Sequence, residues 1–146
     1  MNAQQQVMDA VVKTMNVVHR IALKATGGKL GNQVFGMTAV ELHTTGRKSG
    51  QRRSVMLTAP IHEADRTVLI ASKGGDDRHP DWYHNIVADP AVEITEKGVT
   101  RPFRARVATP EEKAEVWPTV VAAYKGYASY QKRTDRDIPV VICEPA

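Results

Sequence analysis

Four cations and two glycines fall within the ten residues Thr44-Thr-Gly-Arg-Lys-Ser-Gly-Gln-Arg-Arg53, with no acid among them. A second stretch, Ala71-Ser-Lys-Gly-Gly-Asp-Asp-Arg-His-Pro-Asp-Trp-Tyr-His-Asn85, follows an apolar run with a small residue, a cation and two glycines. Glycine lets backbone approach a ligand because it has no Cβ. Exposed backbone N–H groups cup anions, and guanidinium forks and ammonium point charges add attraction. These residue types suit the capture of an anionic group. A fold that brings the two loops together makes one concentrated anion site. Taken alone, Lys73-Gly-Gly is equally compatible with a plain turn after a strand, so the cationic loop carries the reading.

The elements that must position these loops are mostly strands. Val40 and Leu42 alternate with Glu41 and His43, and Val55, Leu57 and Ala59 alternate with Ser54, Met56 and Thr58. Period two predicts two strands around the cationic loop. Residues 67–72 read as a third strand, apolar enough to be buried on both faces. After the glycine loop, 82–87 reads as a short helix stopped by Asp89-Pro90, and 91–95 with 100–107 as a hairpin turning at Lys97-Gly98. Thr109, Pro110 and Glu112 form a capping box opening another helix, which Pro118 is expected to break or kink. Tyr124, Tyr127 and Tyr130 repeat every three residues and would form one aromatic stripe on a helix. A sixth strand is expected over 138–143. Six strands joined mostly by hairpins predict a mainly β barrel with flanking helices.

Residues 6–24 show an amphipathic helical period that Gly27-Gly28 would end. That face suits packing on the domain or on a partner subunit, and its flanking Lys and Arg also suit peripheral membrane contact. We therefore expect 1–30 to be a helix and linker, and 31–146 a single barrel domain. At 146 residues, with 42% hydrophobic and 25% charged residues, the chain is of the size and composition of one globular domain. The net charge of +4 favours an anionic partner without specifying nucleic acid. The single cysteine, Cys143, rules out an internal disulfide and suits a reducing, cytoplasmic setting. No run is long enough to span a membrane. The histidines do not fall at metal-ligand spacing, so no metal is expected. Nothing in the sequence decides between monomer and homodimer.

Leu42-His-Thr-Thr-Gly-Arg-Lys-Ser-Gly-Gln, Ala71-Ser-Lys-Gly-Gly, His79-Pro-Asp-Trp-Tyr-His-Asn, Ala88-Asp-Pro and Thr134-Asp-Arg-Asp-Ile-Pro-Val, in that order, resemble the deazaflavin-dependent nitroreductase family. The resemblance implies a six-stranded split β-barrel related to the flavin-binding pyridoxamine-phosphate-oxidase group. It also implies coenzyme F-420, a 5-deazaflavin with a phosphodiester and an oligoglutamate tail. By resemblance Arg47, Lys48, Ser49, Gly50, Gln51 and Arg53 hold the phosphate and tail, and Ser54, Val55, Met56 and Leu57 flank the ring. Ile70, Ala71, Ser72, Lys73 and Gly74 run beside it. Asp81, Trp82, Tyr83, His84 and Asn85 complete the pocket, with Trp82 offering a flat surface to ring and substrate. Arg52 departs from the pattern, which usually has proline there; it could reach the tail or face water.

The implied chemistry is hydride transfer from the reduced coenzyme to a small electrophile: a quinone, a nitroaromatic or an activated alkene. The protein must hold that acceptor at roughly 3–3.5 Å and steady the anion formed. Tyr127 and Ser72 are the expected hydroxyl donors, and Tyr124, Tyr127, Tyr130 and Trp82 the expected substrate contacts. A core-facing role for the tyrosines fits their spacing equally well. FMN in the same barrel is the alternative cofactor, and a non-catalytic deazaflavin carrier the alternative function. Nucleic acid is not expected, because the cations sit in one loop rather than interleaving with aromatics across a sheet.

Overall fold

The computed structural model describes residues 5, 6, 33, 34 and 37–146. The helix expected over 6–24, with its membrane contact, lies outside the described residues from residue 7 onward. Among the described residues eight strands join in one antiparallel sheet: β1 (Gln33–Val34), β2 (Met37–Thr45), β3 (Arg52–Ala59), β4 (Ile61–His62), β5 (Thr67–Ile70), β6 (Ala91–Glu96), β7 (Val99–Val107) and β8 (Val140–Pro145). The six expected strands are all present. The expected count of six is corrected to eight by β1 and β4, two-residue bridges too short to leave a period in sequence. Among the described residues three complete α-helices accompany them: α1 (Asp81–Ala88), α2 (Pro110–Ala123) and α3 (Gly126–Arg133).

The sheet runs β1-β2-β6-β7-β8-β5-β4, and β3 pairs with the other edge of β2. Contacts between β3 and β5 show that the sheet curls until its sides meet. Strand alternation then lines two faces. Val40, Leu42, Leu69, Ile94 and Val141 point inward, where α1 adds Trp82 and Ile86. Val68, Ile70, Val140 and Ile142 point outward and receive Val116 and Val120 of α2 and Tyr127 of α3. Each fully buried aliphatic side chain here contributes about 1.5–3 kcal/mol. Because β5 feeds both clusters, its continuous apolar run is explained.

The capping box forms as expected. Thr109 Oγ1 accepts from the Glu112 N–H at 3.2 Å, and the Glu112 carboxylate accepts from the Thr109 N–H at 3.0 Å. Pro118 does not end the helix, which continues to Ala123 with Tyr124 as its C-cap. The tyrosines therefore do not share one helix: Tyr124 caps α2, while Tyr127 and Tyr130 lie on α3. The strand expected over 67–72 stops at Ile70, where the glycine turn begins. Among the described residues, no helix is long and apolar enough to cross a membrane.

Candidate functional site

The cationic loop is the turn of the β2–β3 hairpin, whose register runs from Thr38↔Ala59 to Thr45↔Arg52. The Gly46 N–H donates to Gln51 O at 2.7 Å and the Gly50 N–H to Gly46 O at 2.8 Å, so the turn is closed by its own backbone. Helix α1 fixes where it stands. The Arg47 N–H donates to Asn85 Oδ1 at 3.1 Å, and Asn85 Nδ2 donates to Thr44 Oγ1 at 3.1 Å, with Asn85 buried. Arg47, Lys48, Ser49, Gly50, Gln51 and Arg53 are all exposed. Among the described residues no carboxylate pairs with Arg47, Lys48 or Arg53; Arg53 reaches only Ser49 Oγ, at 3.4 Å. Arg52 is different, because Glu93 of β6 pairs with it and neutralises it. Among the described residues, three cations without an acidic partner thus stand beside a serine and a glutamine, a set of donors chemically suited to an anion.

Beyond β5 the chain turns sharply. Ser72 is right-handed helical, and Lys73, Gly74 and Gly75 follow with φ of +46°, +63° and +83°. A side chain at positive φ, as at Lys73, is uncommon and needs support from its surroundings. Arg136 supplies it. Its Nε donates to Asp76 O at 2.8 Å, Nη1 to Ala71 O at 3.1 Å and Nη2 to Ser72 O at 2.8 Å. Gly75 is pressed so closely on α3 that a Cβ there would lie 2.9 Å from the Tyr130 carbonyl oxygen. Arg136 also meets His79, whose ring lies 4.5 Å from that of Tyr83 on α1. Through Asn85 and Tyr83, α1 ties the glycine loop to the cationic turn.

At the end of that loop the Asp76 carboxylate accepts from the Arg78 N–H at 2.8 Å, Nε at 3.0 Å and Nη2 at 2.9 Å. The Arg78 side chain is the chief reason its carboxyl falls from 3.8 to about 2, against a burial effect that raises it. A lowered folded value gives stability that is complete above the unfolded value and lost as pH falls through the folded one. We expect Asp76→Asn to lower the melting temperature at pH 5–7, and the difference from wild type to vanish as the pH drops from 4 to 2. An undiminished difference at pH 2 would contradict this.

The tyrosines gather over the outer face of β3. Tyr127, only 5% exposed, has its hydroxyl 3.3 Å from Thr58 Oγ1 and donates to Met37 Sδ at 3.7 Å. The Tyr124 and Tyr130 hydroxyls are 3.3 Å apart, and the three rings stand 5.3–6.3 Å from one another. Burial raises the Tyr127 phenol, and burial followed by Tyr124 pushes Tyr130 up to about 12. Both therefore keep their protons near neutrality, as hydrogen-bond donors must. Thr58 shares a face of β3 with Met56, Ser54 and Arg52. The six-residue step from Arg52 to Thr58 sets the tyrosines roughly 20 Å from the cationic turn. A ligand touching both ends must be long.

The remaining expected site residues differ in exposure. Val55 and Leu57 pack on the inner cluster, and Trp82, 7% exposed, belongs to that cluster. Asp81 is exposed at the start of α1, Tyr83 and His84 surround His79, and Met56, Ile70, Ala71 and Ser72 are buried. Ser54 Oγ hydrogen-bonds His43 Nδ1 at 2.7 Å. Sequence reasoning missed Thr58, His79 and Arg136 as site-forming residues. A cleft of about 360 Å³, lined among others by His62, Ile94, Glu96, Lys97 and Phe103, opens at the far end of the β6–β7 hairpin and contains none of the expected residues. Cys143 is buried, and burial raises its thiol to about 12, so it is an inert core residue. Among the described residues no group of His, Cys, Asp and Glu could hold a metal ion.

A family model described as F420H(2)-dependent quinone reductase matches residues 15–145. An F420H(2)-dependent quinone reductase of Mycobacterium tuberculosis (strain ATCC 25618 / H37Rv) is 37% identical over 129 residues, covering 86% of each chain. Among solved structures, an F420-H2 dependent reductase is 43% identical with a TM-score of 0.66, covering 73% of this chain and 93% of that one. Another, described as a domain-swapped dimer, is 35% identical with a TM-score of 0.68, covering 98% of this chain and 100% of that one. With a family model spanning nearly the whole sequence and a relative this similar over most of both chains, the chain belongs to the F420H(2)-dependent quinone reductase family.

Proposed function

We propose that this chain is an oxidoreductase that transfers a hydride from reduced coenzyme F-420 to a quinone-type acceptor, using the elongated site just described. The observation that carries this reading is the separation of two chemistries along β3. A clamp of cations that have no acidic partner among the described residues stands at one end, and protonated tyrosine hydroxyls stand roughly 20 Å away at the other. A cofactor with a ring system and a long polyanionic tail fits that spacing, and the three unpaired cations fit the phosphodiester and glutamates. Bound there, the deazaflavin supplies a hydride from its ring carbon.

The chain's own residues do the rest. Arg47, Lys48 and Arg53 hold the tail, with Ser49, Gly50 and Gln51 lending donors. Ser54, Met56 and residues 70–74 form the wall beside the ring, and Asn85 keeps the clamp in place. Val55, Leu57, Trp82 and Asp81 act from behind that wall, through the core and the start of α1. Tyr127, with Tyr124 and Tyr130 around it, donates to the oxygen on which negative charge develops, and Ser72 faces the same task from the glycine loop. We propose nitroaromatics and activated alkenes as further acceptors, since the same donors suit their oxyanions. The curled sheet supports reading the domain, 31–146, as a split barrel of the flavin-binding kind. The domain-swapped dimer among the similar structures supports a homodimer.

Tyr127→Phe is the test of catalysis against mere carriage. Single-turnover reoxidation of the reduced coenzyme by menadione should slow roughly 100-fold, with the coenzyme Kd within twofold of wild type. Unchanged turnover would remove Tyr127 from the acceptor site.

A further inference from the structure

Among the described residues the guanidinium of Arg136 makes four contacts, and none is to a carboxylate. Three go to the backbone carbonyls of Ala71, Ser72 and Asp76, and the fourth, from Nη1, to His79 Nδ1 at 3.1 Å. The nearby acids are engaged elsewhere: Asp76 by Arg78, and Asp77 by the Thr134 hydroxyl at 2.9 Å. A guanidinium has only donors. His79 must therefore accept at Nδ1 and carry its proton on Nε2.

The peptide geometry gives this arrangement a consequence. In a trans peptide the C=O and the next N–H point to opposite sides. Turning the carbonyls of Ala71 and Ser72 onto Arg136 turns the N–H groups of Ser72 and Lys73 the other way. The right-handed Ser72 followed by positive φ at Lys73 curves those donors into a concave edge. Hydrogen bonding to a cation polarises each peptide, so the donors on its far side are strengthened.

We propose that Arg136, seated on neutral His79, is the positioning residue of the coenzyme site, aiming the donor edge of the glycine loop at an electron-rich edge of the deazaflavin ring. This rests on the functional reading above and adds to it the device that shapes the ring-binding wall. It also predicts a pH dependence. Protonated His79 would set an N–H against the Arg136 N–H groups and a second positive charge beside the first. The charged and titratable groups around the pair are Asp76, Asp77, Arg78, Tyr83 and His84, with Lys73 in the loop and Arg133 on α3. Burial, then Arg136 and His84, hold His79 below its ordinary value of 6.5. The latch is thus closed at neutral pH and opens as pH falls below that value.

The test is fluorescence titration with oxidised coenzyme F-420 between pH 5 and 8, using wild type, Arg136→Ala, Arg136→Lys and His79→Gln, each checked by circular dichroism and melting temperature. Arg136→Ala should weaken binding by roughly 100-fold, and Arg136→Lys should recover part of it. The KM for menadione should stay within twofold of wild type in both. Wild-type affinity should fall at the acid end, and His79→Gln, whose amide oxygen accepts without titrating, should lose that step. Folded Arg136→Ala with wild-type affinity overturns the proposal. Should Arg136→Ala not fold, an acid step in His79→Gln identical to that of wild type overturns it. Failure of wild type itself to bind the coenzyme overturns the functional reading, a different outcome from loss confined to the variants.

Discussion

Charge reversal of the clamp, Lys48→Glu with Arg53→Glu, abolishes measurable coenzyme binding while leaving the fold intact. Each side chain is exposed and has no acidic partner among the described residues, so the folded state loses no ion pair with it. Toward a polyanionic tail each is a charge-assisted donor, about 1.5–3 kcal/mol apiece. Reversal adds repulsion, so the pair should weaken the Kd at least about 1,000-fold. Rising salt should weaken wild-type binding. Arg52→Ala is the control. Glu93 already neutralises Arg52, and its loss should change the Kd less than about threefold. Equal effects at the two positions would show that the tail is not held by the turn as proposed.

Gly75→Ala attacks the other wall. At φ +83° an alanine is strained by about 1–2 kcal/mol. Its Cβ would also lie 2.9 Å from the Tyr130 carbonyl and 3.1 Å from Arg133 Cβ. The first of these is backbone and cannot swing aside, so overpacking adds about 1–3 kcal/mol. A loss of about 2–5 kcal/mol in urea unfolding is expected, together with weaker coenzyme binding as the loop leaves α3. Gly98 has a similar φ, +78°, and open space around it. Gly98→Ala should therefore cost only about 1–2 kcal/mol and leave binding alone. Matching losses at the two glycines would mean that the contact with α3 contributes nothing.

Local patterns were legible wherever their cause was local. Alternation in β2 and β3, the capping box at Thr109 and the acid-free run of cations each arise within a few neighbouring residues, and each stands in the structure where sequence placed it. Contributions from distant residues were not legible. Arg136 acts on carbonyls 60–65 positions away, and carbonyls leave no mark in a sequence. Arg52 finds Glu93 41 positions on, so facing water or the tail could not be separated from pairing. Trp82 reads as a flat surface for a ligand or as core with equal ease, and only the curl of the sheet decides for core. The three-residue spacing of the tyrosines suggested one stripe. Lys125-Gly126 was the available sign of a break, and the Tyr124 ring lies directly on that glycine, where a Cβ would come within 2.2 Å of it. A tertiary cluster replaced the expected helical one, with the same three rings in contact.

The most direct test of the central claim, that the cationic turn and glycine loop form one site for a deazaflavin with a long anionic tail, is parallel titration of the full chain with oxidised coenzyme F-420 and with FMN. The account predicts micromolar or tighter binding of the deazaflavin and at least about tenfold weaker binding of FMN, whose arm ends at its phosphate and offers the clamp no glutamate carboxylates. Equal or tighter binding of FMN would contradict the account.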